Sequence, residues 1–298
     1  MKKINLLFLT AIISGFSIFI NKFGVGFNNP YIFTFLKNSV VVVFLFSLIM
    51  LAKEFHIFKT LKKQDWIKLI TIGIIGGSIP FLLFFKGLSI TTSAKAGFIH
   101  KTMFLYVAVL AYVFLKERFN WKFFLGAGAL IVGNFLFLKL SWQAFNIGDL
   151  MIFIATLFWA GENTLSKYTL KNLPSKIVAF SRMFFGSIFI LGFLAATGNI
   201  TDLFVLTQNQ LIWALVPSVF LALYLLTWYE GLKHVPVTLA TSILLLASPV
   251  TTLLNIMYSG IAVSLSQVVG IVLLISGVVT FFYAVEDTKL PSTTKFIV

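Results

Sequence analysis

The sequence contains no cysteine and few charged residues, and both absences limit what the protein can be. Without a thiol there can be no disulfide framework, thiolate metal site or catalytic cysteine. Charged residues make up 11% of the chain, whereas an ordinary soluble domain has about 25%. A chain that is 59% hydrophobic has too little polar surface to cover a water-soluble core. This composition excludes a soluble globular enzyme and a disordered chain, and it leaves the lipid bilayer as the solvent.

Motifs for metals, cofactors and catalysis are also missing from the sequence. The three histidines, His56, His100 and His234, are far apart and lack the spacing of metal ligands. There is no Gly-rich phosphate loop ending in Lys-Ser/Thr, no His-Glu-x-x-His motif and no Ser-His-Asp set on a plausible scaffold. We therefore expect no catalytic residue, no metal and no cofactor, and a protein that is not an enzyme.

What the sequence does contain is a series of apolar runs of about 20 residues, the length at which a helix crosses a bilayer. The least marked boundaries lie at residues 87–92 and 234–236, where an unbroken run would be too long for one span, so we expect a turn at each. The first run lacks a small-x-small cleavage site and is interpreted as an uncleaved span. The runs predict an all-α integral membrane protein with ten transmembrane helices, at residues 5–25, 30–52, 66–88, 92–115, 120–138, 149–170, 174–197, 210–232, 236–259 and 264–285.

The distribution of Lys and Arg predicts the orientation of these spans. The net charge is +14, and if the N-terminus is inside, 16 of the 23 basic residues fall in inner segments while only Lys139 falls in an outer loop. This asymmetry predicts a multi-pass protein of the cell membrane, plasma or inner, with both termini in the cytoplasm. Basic residues in the inner loops are expected to contact anionic lipid headgroups rather than nucleic acid.

The two halves of the chain resemble each other. An offset of 145 residues relates Lys22 to Lys167 and Lys37 to Arg182, which we interpret as structural tethers at span ends. Because each half has five spans, the second half is inverted relative to the first. The sequence thus predicts two five-helix inverted repeats, residues 1–140 and residues 141–298 with a short cytoplasmic tail, and a site between them near the midplane. Three glycine pairs share an offset of 144: Gly87 and Gly231, Gly126 and Gly270, and Gly133 and Gly277.

Several segments are similar to motifs of the EamA-type repeat in the drug/metabolite transporter superfamily. Trp159-Ala160-Gly161 with Asn163 and Lys167 resembles its W-G-x-N-x-x-x-K opening. Leu115-Lys116-Glu117-Arg118 followed by two glycines resembles its fourth-to-fifth span junction, and Ala247-Ser248-Pro249 resembles its fourth-span proline motif. The resemblance covers nearly the whole chain and implies a transporter, with a leaning to export. The first half departs from it, with Ser14-Gly15-Phe16 where the Trp-Gly pair would stand.

Ionisable side chains at membrane depth are costly unless they face a partner or a water-filled cavity, so they are the candidate binding residues. Lys101 lies near the middle of the fourth span, beside His100, and either binds an anionic group of a solute or forms an ion pair with Glu162 or Glu230. Glu162 lies near the middle of the sixth span and either binds a solute amine or a proton, or neutralises a cavity lysine.

Other candidates have a structural alternative. Lys95 and Lys86 can snorkel to the outer interface, and Glu230 can be an interfacial charge or part of a gate. Thr241 and Ser242 can bond to the backbone of their own helix. The full predicted substrate-binding set is Trp159, Glu162, Asn163, His100, Lys101, Lys95, Lys86, Glu230, Tyr229, Thr241 and Ser242.

Six basic residues at span depth outnumber Glu162 and Glu230 there, which suits an anionic or zwitterionic solute. The predicted function is a secondary active transporter that moves a small polar metabolite, such as an amino acid or a carboxylate, by alternating access. The alternatives are a membrane-embedded enzyme or lipid-handling protein, and a channel-like or receptor-like membrane protein. The expected partners are a small-molecule solute and membrane lipids, with no nucleic acid; a coupling proton, and a monomer or a homodimer, stay open.

Overall fold

The computed structural model describes residues 3–25, 29–138, 144–260 and 263–289. Lys139 and the expected tail at residues 290–298 lie outside these ranges. Every regular element in the described ranges is helical. The α-helices are α1 Asn5–Val25, α2 Pro30–Leu51, α3 Ile57–Thr60, α4 Lys63–Gly77, α5 Ile79–Leu88, α6 Ser93–Lys101, α7 Met103–Leu110, α8 Trp121–Leu138, α9 Ile147–Thr169, α10 Ser175–Ala196, α11 Gln208–His234, α12 Val237–Ile243, α13 Ala247–Ser259 and α14 Leu265–Lys289.

Eight helical segments of the described chain are long and apolar enough to cross a membrane. Two of the ten expected spans are not among them: α1 has a shorter apolar stretch, Asn5–Asn21, and α9 carries Asp149, Glu162 and Lys167. Large apolar side chains cover the outside of the helix bundle, where lipid takes the place of water. The protein is a multi-pass membrane protein. The eight segments are Pro30–Leu51, Lys63–Leu88, Lys95–Leu115, Trp121–Leu138, Ser175–Ala196, Gln208–His234, Val237–Tyr258 and Leu265–Ala284.

Both of the weakly marked boundaries are confirmed as turns. Helix α5 ends at Leu88 and α6 begins at Ser93, while α11 ends at His234 and α12 begins at Val237. The second turn is held by Glu117, whose carboxylate accepts hydrogen bonds from the backbone N–H of Val237 at 2.8 Å and from a threonine hydroxyl one residue later. An acidic group at this position also interacts favourably with the positive end of the α12 dipole.

Three of the expected spans are interrupted rather than continuous. The chain breaks at Ser78 between α4 and α5, at Thr102 between α6 and α7, and through a 3₁₀ turn at Leu244–Leu246 between α12 and α13. Pro80 and Pro249 follow two of these breaks, and a proline both lacks an N–H donor and disfavours a helical conformation in the residue before it. At Thr102 and at residues 244–246 the backbone changes to tighter hydrogen bonds: the Leu105 N–H bonds to the Thr102 carbonyl, and the Ala247 N–H bonds to the Leu244 carbonyl.

Helices α8 and α14 approach each other closely at glycines. A Cβ atom placed on Gly133 would lie 2.9 Å from the Gly270 carbonyl oxygen, and one on Gly270 would lie 2.7 Å from the Gly133 oxygen. Gly126 and Gly277 meet in the same way one to two turns away. Since small residues let membrane helices pack backbone to backbone, these glycines explain the contact.

Helix α9 lies inside the bundle and positions three of the candidate residues, Trp159, Glu162 and Asn163. It packs against α4, α5, α6 and α7, while α10 packs against α2, α4 and α11. Both α9 and α10 therefore contact α4, which brings Glu162 and Arg182 to the same place in the interior.

Candidate functional site

Glu162 is the centre of a buried polar cluster. Its side chain has no solvent exposure, and its Oε1 atom accepts hydrogen bonds from the hydroxyls of Tyr229 and Ser166, each at 2.6 Å. Its Oε2 atom lies 3.6 Å from Nη1 of Arg182. A carboxylate can be buried in an apolar bundle only with such partners, and here one cation and two hydroxyls supply them.

Arg182 connects the carboxylate to α4 and α11. Its Nη1 donates to the Tyr229 hydroxyl at 3.2 Å, and its Nη2 donates to the Gly76 carbonyl oxygen at 3.1 Å. The indole Nε1 of Trp159 donates to the same carbonyl at 3.1 Å. Position 76 requires glycine, because a Cβ there would lie 2.2 Å from Cγ of Glu162. One carbonyl thus links the arginine to the tryptophan.

Arg182 does hold helices together, as the tether interpretation expects, but it does so from inside its helix and not from a span end. Arg182 is 6% exposed and lies two turns inside α10, where its partners are groups of α4, α9 and α11. Glu162 also does not pair with Lys101, as one of the two alternatives for these residues supposed, because its counter-ion is Arg182. The position of Arg182 within its span was a signal in the sequence that it needs a buried partner. Only the packing of α9 and α10 on α4 identifies that partner as Glu162.

A second group of predicted residues forms an aromatic wall beside the cluster. The ring of His100 lies 5.0 Å from that of Trp159 and 5.5 Å from that of Phe84, measured between centroids, and both pairs are edge-to-face. Nδ2 of Asn163 lies 3.6 Å from the sulfur of Met103. The structure therefore brings together His100, Trp159 and Asn163 with Glu162, as the sequence predicts for a site at mid-depth.

Lys101 joins the two interrupted segments of the bundle. It is 8% exposed, it ends α6, and its Nζ donates to the carbonyl oxygen of Leu244 at 3.3 Å. Leu244 begins the 3₁₀ turn between α12 and α13, so the break after α6 faces the break after α12. In the described part of the chain Lys101 has no carboxylate partner, and its ammonium group retains donors for an anionic ligand.

The sequence profile of the EamA-like transporter family matches residues 1–139 and 146–283. The chain belongs to the EamA-like transporter family. Its resemblance to the drug/metabolite transporters is thereby confirmed. Similar proteins are also named as transporters. The uncharacterized transporter YyaM of Bacillus subtilis (strain 168) is 25% identical over 94% of each chain.

Two further similarities differ in what they cover. An uncharacterized transporter of Methanothermobacter thermautotrophicus is 26% identical over 54% of this chain and 48% of its own length. A solved crystal structure superposes with a TM-score of 0.74 at 17% identity, covering 96% of this chain and 99% of the other. At that identity the superposition shows the fold alone.

The other predicted site residues of the EamA-like transporter lie away from the cluster. Lys95 pairs with Asp149 at 3.2 Å and donates to the Ala144 carbonyl at 2.8 Å, both at the start of α9. Lys86 is exposed near the end of α5. Glu230, near the end of α11, contacts Lys3 at 2.5 Å as well as Ser175 and His234. Lys95 is thus ion-paired with a buried carboxylate rather than snorkelling, Lys86 is exposed as its snorkelling alternative expects, and the partners of Glu230 fit an interfacial charge or part of a gate.

Thr241 and Ser242 are buried but bond to their own helix. The Thr241 hydroxyl donates to the Val237 carbonyl at 3.0 Å, and the Ser242 hydroxyl donates to the Leu239 carbonyl at 2.8 Å. Tyr229, by contrast, belongs to the cluster around Glu162. A cavity of about 490 Å³ lies outside this cluster, between α2 and α10, and its lining is almost wholly aromatic and aliphatic.

Lys37 is a buried cation whose environment the sequence did not reveal. It is 2% exposed, and its Nζ lies 3.4 Å from Oδ1 of Asn21 and over the rings of Phe33, Phe81 and Phe85 at 4.9 to 5.6 Å. The interpretation of Lys37 as a span-end tether is therefore wrong. Among the proposed tethers, Lys167 does hold two helices, since it donates to carbonyls at the end of α11; the side chain of Lys22 lies outside the described residues.

Proposed function

We propose that this EamA-like transporter is a secondary active transporter that moves a small polar metabolite, an amino acid, a carboxylate or a related solute, by alternating access. The observation that carries the proposal is the polar cluster of Glu162, Arg182 and Tyr229 in the interior of a bundle whose outside is apolar. A charged group inside a membrane bundle is expensive, and such groups mark solute or ion pathways.

The helix contacts support an architecture of two five-helix inverted repeats, residues 1–140 and 141–298. In this architecture α1 is equivalent to α9, α2 to α10, and the broken pair α6–α7 to α12–α13. Contacts between helices in one half should then have equivalents between the corresponding helices. The packing of α1 on α11 corresponds to that of α9 on the α4–α5 segment, and α1 on α12 and α13 corresponds to α9 on α6 and α7. Each matched region of the family profile covers one of these halves.

The glycines shared by α8 and α14 support the same arrangement. Gly126 and Gly133 are the counterparts of Gly270 and Gly277 at an offset of 144. Gly133 packs on Gly270 and Gly126 packs on Gly277, so each glycine meets the counterpart of its neighbour. A two-fold axis in the membrane plane requires this exchange. In this topology α1 and α9 are the first spans of the two repeats, and both termini face the cytoplasm.

The substrate site of the proposal lies between α6, α9 and the break between α12 and α13. His100, Trp159 and Asn163 form an aromatic and amide wall, and Lys101 supplies the positive charge. The partner of Lys101 is a neutral carbonyl, so its positive charge is not neutralised within the described chain. A carboxylate group of a solute can therefore bind its ammonium group as the charged partner. Interrupted helices near the midplane are typical of such sites in transporters.

The pair of Glu162 and Arg182 has a different role in the proposal. Its charges already neutralise each other, and it joins α9 and α10, with Tyr229 adding α11. These residues are five to seven positions from the ends of their helices that face the cytoplasm in the proposed topology. The pair therefore closes the pathway on that side, and it must separate when the site opens there. A single pair held by two hydroxyl bonds can be both specific and reversible.

Solute counterflow tests the proposed function. The purified full-length protein in liposomes is loaded with one unlabelled solute at a time from a panel of amino acids, carboxylates, nucleotides and cationic drugs, and transient uptake of the labelled solute is measured. We expect overshoot for a carboxylate-bearing solute in wild type and in the Ser242→Ala control, and a loss in Lys101→Met at the same solute concentration. Flux without overshoot would indicate a channel, and a chemically altered solute would indicate an enzyme; either result overturns the proposal.

A further inference from the structure

The cluster around Arg182 has a counterpart in the other half of the molecule. An offset of 145 relates Arg182 to Lys37, Ser166 to Asn21 and Glu162 to Ser17, and an offset of 144 relates Tyr229 to Phe85. The contacts repeat as well. Ser166 donates to the Glu162 carboxylate at 2.6 Å, and Nδ2 of Asn21 donates to the Ser17 hydroxyl at 3.1 Å, each between residues four apart.

The aromatic partner of each cation repeats in the same way. Nη1 of Arg182 donates to the Tyr229 hydroxyl at 3.2 Å, and Nζ of Lys37 lies 4.9 Å from the centre of the Phe85 ring. The two clusters thus place a cation, a small polar residue and an aromatic ring in equivalent positions. The residues differ at all four positions, but only one change alters the charge: the carboxylate of Glu162 is replaced by the hydroxyl of Ser17.

Lys37 consequently has no counter-ion among the residues that the structure describes. Its polar partner is the amide oxygen of Asn21 at 3.4 Å, and the faces of three phenylalanine rings surround the rest of the ammonium group. Ring faces attract a cation but leave its charge unneutralised. A lysine that is 2% exposed and lacks a carboxylate is unusual, because an unpaired buried charge is strongly disfavoured.

The position of Ser17 is less enclosed than that of Glu162. Ser17 is half-buried, whereas Glu162 is fully buried. The ring of Phe81 lies between the two cations, 5.6 Å from Nζ of Lys37 and 6.0 Å from the guanidinium carbon of Arg182. A group bound at Lys37 is therefore one aromatic ring away from the neutralised cluster.

We propose that Lys37 and Ser17 form an anion subsite, in which a carboxylate from outside the chain takes the position that Glu162 has opposite Arg182. The proposal rests on the proposed transport function, since the carboxylate is a group of the transported solute. The ammonium group of Lys37 and the hydroxyl of Ser17 both donate to it, and Phe81 and Phe85 pack against its apolar part. In this arrangement the cation of one half, Arg182, pairs with a carboxylate of the chain. The cation of the other half, Lys37, pairs with a carboxylate of the solute.

The test supplies the missing carboxylate within the chain. Ser17→Glu places it opposite Lys37, and Ser17→Gln is the uncharged control of the same size. The melting temperature of the purified full-length protein is measured in sodium acetate and in sodium chloride at equal ionic strength, with methylammonium chloride as a cation control. We expect acetate to raise the melting temperature of wild type but not of Ser17→Gln, because the glutamine amide replaces the Ser17 hydroxyl and fills the position of the carboxylate. Ser17→Glu should melt a few degrees above Ser17→Gln in chloride and should not respond to acetate.

Lys37→Met provides a second variant if Ser17→Glu does not fold. It should lose the response to acetate while melting near wild type in chloride, because no buried carboxylate is left alone. Combined with Ser17→Glu it completes a double-mutant cycle, in which the two changes should be non-additive. Additive changes, an acetate response that survives in Lys37→Met, or one that is lost only in Lys101→Met would each overturn the proposal.

These measurements are separate from the counterflow experiment. Acetate stabilisation that depends on Lys37, without counterflow of any solute, would support the anion subsite and reject the transport function. Counterflow that is unchanged in Lys37→Met, together with an unchanged acetate response, would leave the transport function standing and reject the subsite.

Discussion

Helix α9 carries two buried carboxylates, and their surroundings differ. Asp149 and Glu162 are 1% and 0% exposed, and each has a basic partner, Lys95 at 3.2 Å and Arg182 at 3.6 Å. Asp149 lies in the first turn, where its carboxylate accepts from the Asn146 backbone N–H at 3.0 Å and completes a capping box. Glu162 lies in the interior of the helix and satisfies no backbone group.

The comparison shows how to separate a structural charge from a functional one in this bundle. The burial of Asp149 is explained by local chemistry, because a helix start leaves N–H groups without partners and favours a negative charge. No feature of α9 requires a charge at Glu162. Its partners outside α9 come from two other helices, α10 and α11, so the cluster connects elements that a transporter moves relative to one another. The four substitutions below test this distinction, in order of expected effect.

Glu162→Gln should have the largest effect on stability. It leaves Arg182 buried without a counter-ion, which costs about 3–5 kcal/mol of unfolding free energy. We expect poor expression and a much lower melting temperature, with transport lost. Adding Arg182→Gln should recover part of the stability, because the isolated charge is removed. If Glu162→Gln has the same melting temperature as wild type, the Glu162 carboxylate does not neutralise Arg182 in the folded protein. The distinction between Glu162 and Asp149 would then be wrong.

Lys101→Met should affect solute binding more than folding. Removing the ammonium group leaves no buried group alone, because the Leu244 carbonyl also accepts from the backbone N–H of Ala247, so stability should change little. If Lys101 binds a solute carboxylate, losing that charge-assisted bond weakens apparent affinity roughly tenfold to a hundredfold, since such a bond contributes about 1.5–3 kcal/mol. Counterflow over a range of solute concentrations measures this change. Unchanged affinity in a stable Lys101→Met protein would remove Lys101 from the site.

Asp149→Ala should lower stability while leaving transport intact. It removes the capping box and the partners of Thr91 and Lys95, but Lys95 is near the span end and can extend towards water. We expect a loss of about 1–2 kcal/mol and a lower melting temperature. Counterflow per folded protein should match wild type. A loss of counterflow as large as that of Glu162→Gln would erase the distinction between the two carboxylates.

Ser242→Ala should have the smallest effect. The Ser242 hydroxyl bonds to a carbonyl of its own helix, and alanine has the higher helix propensity, so stability should stay within about 0.5 kcal/mol of wild type. Melting temperature and counterflow both check this. A clear fall in solute affinity would show that Ser242 turns towards the solute in another conformation, and it would restore this residue to the predicted site.

Much of the fold could be predicted from the sequence, because the bilayer imposes a simple constraint. Each backbone polar group must be satisfied internally, so every long apolar run forms a helix. The turns at residues 87–92 and 234–236 followed from length alone. The break at Thr102 could not be predicted in this way, since no proline marks it. The inverted repeat and the orientation remain predictions.

The candidate site was predictable only in part. His100, Trp159, Glu162 and Asn163 were identified as interior residues by their depth, and the structure groups them. Lys86, Lys95 and Glu230 were included with them because depth along a span does not show which way a side chain turns. Arg182 was placed at a span end for a related reason: most of its helix is apolar, so little in the sequence marks which face points to the interior.

The sequence by itself determined the membrane environment, the helical class, the transporter family and the position of each charge along its helix, because these depend on composition and on the order of residues along the chain. Only the tertiary structure decided which charges meet. Arg182 rather than Lys101 neutralises Glu162 because α10 and α9 both pack on α4, where Gly76 leaves room for the two side chains. Lys101 instead meets a broken helix, and Lys37 is left among aromatic rings. Pairing of charges requires contact between helices that are distant in sequence, and near-uniform apolar helices do not encode those contacts locally.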